Sequence, residues 1–98
     1  MAALIPPSQA TAPWDVRDVV PLPGYRLAVR FIDGTAGIVD LSVRIASPKA
    51  GVFARLRDLE IFTQVYIKYG AVTWPGEIDL APDAMHDEIK AHGEWKIQ

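Results

Sequence analysis

Apolar and polar residues alternate most cleanly between Tyr25 and Phe31. Tyr25, Leu27, Val29 and Phe31 take one face, and Arg26, Ala28 and Arg30 take the other. Period two is the signature of a strand with one buried and one wet face. The run stops at Asp33-Gly34, a dipeptide that tolerates positive φ in a tight conformational turn, and Thr35 to Leu41 reads as the return strand. A two-residue loop places Val29 opposite Ile38 and Phe31 opposite Ala36. It also sets Gly37 across from Arg30 as the weak point of the ladder. Upstream, Trp14 and Val16 alternate with charge as an entering strand, and Pro21, Pro23 and Gly24 punctuate the chain as a turn.

Beyond the hairpin, Ser47-Pro48 has the form of a helix start, with Ser as N-cap and Pro in the first turn. Val52, Phe53, Leu56 and Leu59 recur at helical spacings, which predicts a short helix over about residues 48–57. Phe62 extends that stripe through a second turn near Asp58. Val65, Ile67 and Tyr69 read as a strand, Gly70 turns the chain, and Ala71 to Trp74 returns as a second hairpin. Trp74-Pro75-Gly76-Glu77 reads as another turn, because Pro75 cannot donate to a ladder. Ile78 to Leu80 is a short extended piece.

The last predicted element is a helix. Pro82 stands at its first position, Asp83 lies in the first turn where the macrodipole favours an anion, and Gly93 acts as the stop. Met85, Ile89 and His92 form its apolar face, and Trp95 to Gln98 reads as a tail. Together these elements predict an α+β fold: an antiparallel sheet of four to five strands built from two hairpins, packed against one or two short helices. Residues 1–13, rich in Ala, Pro, Ser and Thr, read as a flexible leader, and 14–98 as a single domain.

A chain of 98 residues fits one domain, and 50% hydrophobic with 22% charged residues is a globular composition rather than a disordered one. The net charge of −2 lacks the basic footprint of a nucleic-acid binder. Without cysteine, disulfides, thiol nucleophiles and Cys-based zinc sites are excluded. The N-terminus has no signal-peptide pattern, and no apolar run approaches the roughly 20 residues of a membrane span. These readings predict a cytoplasmic protein that contacts neither membrane nor nucleic acid directly.

No residue pattern predicts a catalytic, cofactor or metal site. His86 and His92 are six apart and diverge, unlike the i, i+4 pair of a helical zinc motif. Asp83, His86 and Asp87 share a helix face, which reads as a solvent-facing, salt-paired surface. Asp33 is explained by its turn, Asp58 as a cap or helix end, and Asp79 as a cap for the last helix. No Gly-x-Ser-x-Gly or phosphate-cradling loop is present. Among the aromatics, Trp74 beside Pro75 reads as a core residue closing its hairpin. Trp14 and Trp95, near the ends of the domain, are the candidate interaction surface.

Three segments carry a family resemblance: VVPLPGYRLAVRFIDGTAGIVDLS, GVFARLRDLEIFTQVYI and VTWPGEIDLAPDAM. The shared pattern comprises Phe31, Asp33 and Gly34 at the first turn, then Asp40 and Leu41. Phe53, Leu56, Asp58, Phe62 and Val65 follow, and Trp74, Pro75, Asp79, Leu80, Pro82 and Asp83 close it. In combination these resemble domain-of-unknown-function family 2442 over about 70 of the 98 residues. Two departures stand out: Gly76-Glu77 replaces an Asn-Gly-type turn, and no Tyr lies near His86. The resemblance implies a small α+β fold and no catalytic residues. It also implies a gene neighbour from family 4160 in an arrangement similar to toxin–antitoxin pairs, with some members fused to a helix-turn-helix domain.

The expectation is therefore a non-enzymatic module that binds a protein partner, the antitoxin-like half of a two-protein operon. The alternative is a ligand-sensing or transcription-regulatory accessory domain. A homodimer fits either, since exposed edge strands pair readily.

Overall fold

A computed structural model describes residues 12–98; the predicted leader therefore lies almost wholly outside the described residues. The first three strands form a meander: β1 (Val16–Leu22), β2 (Arg26–Phe31) and β3 (Ala36–Asp40), each antiparallel to the next. Their inward residues, including Val16, Leu27, Val29, Phe31 and Val39, are buried, as the alternation requires. β1 continues through Pro21, which was expected in a turn. At an edge position its missing N–H leaves no bond unmade.

The β2–β3 register differs by one residue from the expected one. Val29 faces Gly37, Arg30 faces Ala36, and Phe31 N–H donates to the Thr35 carbonyl at 2.8 Å. The reason is a three-residue loop, Ile32-Asp33-Gly34, in which Gly34 alone takes positive φ (90°). That is the pattern of a type I turn with a glycine bulge, not the two-residue turn. The shift brings Gly37 to the inner face, where α3 (Pro82–His92) crosses it.

The span expected as a helix, 48–57, holds a shorter 3-10 helix, flanked by two short α-helices. α1 (Ser42–Ala46) precedes it, and Gly51–Arg57 is a 3-10 helix leading into α2 (Leu59–Phe62). Ser47 does not cap a helix at Pro48; its hydroxyl accepts from Lys49 N–H in a local turn. Three residues per turn align Phe53 with Leu56 and turn Val52 outward, and the extended backbone at Asp58 (ψ 112°) breaks the run, so that Leu59 opens α2 facing solvent. Asp58 caps α2, its carboxylate accepting from Glu60 N–H at 3.0 Å.

β4 (Tyr66–Lys68), β5 (Ala71–Trp74) and β6 (Ile78–Asp79) form a separate three-stranded sheet. α3 then carries Pro82 at its start and ends at Gly93 (φ 79°), as the sequence predicts. Its buried residues are Met85, His86 and Ile89, while His92 is exposed. Asp79 does not cap α3: Ala81 occupies that position with no side-chain bond, and Asp79 lies on β6.

The predicted tail is a strand, β7 (Glu94–Lys96), and the chain is α+β with two sheets rather than one antiparallel sheet. β7 lies parallel to β3, giving a four-stranded mixed sheet in the order β1-β2-β3-β7. The parallel sense follows from topology, because the intervening segments cross over before α3 delivers the chain to the β3 edge. The two sheets share one core with the helices, centred on Leu27, Phe31, Phe62, Trp74 and Met85. Val16 N–H also donates to the Gly70 carbonyl at 2.8 Å, tying β1 to the small sheet.

Candidate functional site

The two tryptophans expected to form an interaction surface do not come together. Trp14 precedes β1 at one edge of the mixed sheet and is 45% exposed. Trp95 lies on β7 at the opposite edge, partly buried against the core. Three inter-strand steps, about 14 Å, separate those edges. Trp74 is wholly buried, its indole N–H donating to the Phe62 carbonyl at 2.9 Å, and Pro75 opens the loop that follows.

Asp33 does more than shape its turn. Its carboxylate accepts from Thr35 N–H at 2.9 Å and meets His86 Nε2 at 2.7 Å. The Thr35 backbone bond, followed by the His86 bond, lowers its pKa from 3.8 to about 2. His86 is not solvent-facing as expected. Its ring packs edge-on against Phe31, with centroids 4.9 Å apart. Asp83 and Asp87 remain exposed, so the predicted acidic and histidine face is broken by burial of its central member. Among the described residues, no group of three or more metal-ligating side chains is arranged around a common point.

The outer face of the small sheet forms a concave site that the periodicity did not reveal. Tyr66, Thr73 and Asp79 align across β4, β5 and β6 in one row. The central strand contributes small residues, Ala71 and Thr73, as a floor. Tyr66, Lys68 and Tyr69 stand on one side, and Glu77, Asp79 and Pro82 on the other. The groove has a volume of about 560 Å³. Its signal in the sequence is the alternation of Tyr66, Lys68, Ala71, Thr73 and Asp79 with the buried partners of the same strands.

Backbone strain marks the same place. Among the described residues, three non-glycine positions have positive φ: Tyr25 (58°), Tyr69 (52°) and Glu77 (63°). Such a conformation is costly for an L-residue and persists where surroundings impose it. Tyr25 has packing to hold it, its ring 5.3 Å from that of Phe62 and its hydroxyl donating to the Arg57 carbonyl. Tyr69 has no such support, being 90% exposed at the tip of the β4–β5 hairpin, where it and Gly70 (φ 76°) form the turn. Glu77 follows Gly76 (φ 93°) in the β5–β6 loop, so the departure from an Asn-Gly-type turn leaves glutamate in a left-handed position. Tyr69 and Glu77 both line the groove.

A second hollow lies on the outer face of the mixed sheet, over Val20, Ala28 and Ile38. Its rim carries Asp18 and Arg30, one charge of each sign, and it offers no aromatic ring. The edge beside it is blunted by Pro21 and by the irregularity between Val16 and Asp18, devices that disfavour pairing with another strand. The small-sheet groove is therefore the better candidate.

No helix among the described residues is long and apolar enough to cross a membrane. Neither the curated proteins nor the solved structures provide a match to the chain. The family model described as "Protein of unknown function (DUF2442)" matches residues 16–91, from the first strand to the end of the last helix, and the chain belongs to that family.

Proposed function

We propose that this domain is a protein-binding module, the antitoxin-like member of a two-protein pair, and that it acts by docking rather than by catalysis. The observation that carries this reading is Tyr69. A large aromatic side chain is presented almost wholly to solvent, on a strained turn, at the rim of a concave sheet face. Tyrosine supplies rigid amphipathic contact area at small entropic cost, which is why it is enriched at binding interfaces. The pairing with a neighbouring gene product rests on the arrangement that the family resemblance implies.

The test compares the tagged wild-type chain with a Tyr66→Ala/Tyr69→Ala variant, each recovered from the native host. Both side chains are exposed, so the variant retains its circular dichroism and melting temperature. The expected result is one stoichiometric protein bound to the wild type and lost from the variant. Equal recovery by both chains overturns the site. A wild-type chain that recovers no protein but melts higher in the presence of a small molecule overturns the module reading in favour of ligand sensing.

A further inference from the structure

We propose, resting on the partner-binding reading, that the small-sheet groove receives a lysine or arginine side chain from a basic segment of the partner. The groove separates two chemistries. Aromatic rings of Tyr66 and Tyr69 rise from the β4 side, and carboxylates of Glu77 and Asp79 from the β6 side. Two inter-strand steps set Tyr66 about 10 Å from Asp79 across the Thr73 floor, a gap suited to one extended cationic head.

Neither carboxylate is ion-paired among the described residues, whose salt bridges are Arg17–Asp18 and Asp33–His86. Arg55 lies close by but packs on Gly76. One ring already holds a cation: Lys68 Nζ stands 5.9 Å from the Tyr69 ring centroid. That contact shows a ring of the groove placed at the outer limit of cation–π range. A guanidinium entering from a partner can stack on the Tyr66 face while its N–H groups reach the opposite carboxylates. Lys68 then acts as a resident competitor. The overall charge of −2 favours approach of a basic segment.

The experiment titrates ¹⁵N-labelled full chain with a short blocked arginine–glycine peptide, with its norleucine counterpart as control. The expected result is amide shifts at Tyr66, Lys68–Ala71 and Glu77–Asp79 with the arginine peptide only, weakened by salt. Glu77→Gln/Asp79→Asn lowers affinity about five- to tenfold, and Lys68→Ala raises it. Equal shifts with the norleucine peptide, no shifts at these amides, or an unchanged affinity in the carboxamide variant overturns the inference. The two readings fail separately. A native partner lost on Tyr66→Ala/Tyr69→Ala but fully retained by Glu77→Gln/Asp79→Asn leaves the module standing and removes the cation. A partner retained by the tyrosine variant removes both.

Discussion

His86 Nε2 and Asp33 Oδ2 stand 2.7 Å apart, joining the middle of α3 to the loop between β2 and β3. The contact spans 53 positions in the chain, so one carboxylate both shapes a local turn and fastens a distant helix.

The pKa of Asp33, lowered first by the Thr35 N–H and then by His86, gives this carboxylate a pH signature. A carboxylate whose folded pKa (about 2) lies below its ordinary value (3.8) adds stability that is present above 3.8 and lost as pH falls through about 2. Asn at position 33 keeps the turn bond but not the charge. Thermal melting of wild type and Asp33→Asn should show a lower melting temperature for the variant near neutral pH. The gap should close between about pH 4 and about pH 2. A gap that is constant with pH contradicts the assignment. Asp40, lowered chiefly by its bond from the Ser42 hydroxyl, titrates in both proteins and cancels in the comparison.

Gly37 leaves no room for a side chain. A Cβ there would lie 2.5 Å from both the Gly93 carbonyl oxygen and Ile89 Cγ2. The first of these is backbone and cannot rotate away. Gly37→Ala should destabilise the domain by about 1–3 kcal/mol in urea denaturation, through displacement of α3 and β7 from the sheet. A cost near zero would mean that the helix rides freely over β3.

Trp74 and Trp14 should separate cleanly. Trp74→Phe leaves the buried Phe62 carbonyl without its indole donor and should cost about 1–3 kcal/mol. Trp14→Phe, at an exposed position, should fall within about 0.5 kcal/mol of wild type. The urea midpoints of the two variants make the comparison.

Glu77 should trade stability against binding. Glycine takes its left-handed conformation without a Cβ penalty, so Glu77→Gly should stabilise the fold by about 1 kcal/mol. The same change removes one carboxylate from the groove and should weaken partner capture. A variant that is both more stable and fully competent in binding would reduce Glu77 to an accident of the turn.

Much of this fold was legible in the chain because local chemistry dictated it. Leu27, Val29 and Phe31 declared the buried face of β2, Asp58 the end of a helix, and Pro82 with Gly93 the two ends of α3. What escaped was decided by tertiary context. Period two is blind to loop length, so the third loop residue, Ile32, moved the register by one. Trp95 and Ile97 are too few to announce a strand, and β7 exists because β3 offers an open edge. His86 looked like a surface residue until Asp33, remote in the chain, supplied its partner. The groove was hidden for the same reason: Tyr66 and Asp79 are neighbours only once β5 stands between them.

The parallel seam between β3 and β7 also orders the events of folding. β1, β2 and β3 are sequential and joined by short loops, so their pairing closes small loops and forms fast. Ile38 must then wait for Glu94, more than half the chain away, before its outer edge is occupied. Until that moment β3 presents free amide and carbonyl groups to any extended segment that passes. In any chain whose β7 has not docked, that edge is a template for exchange between molecules, and the close seat of α3 on Gly37 is what keeps it covered.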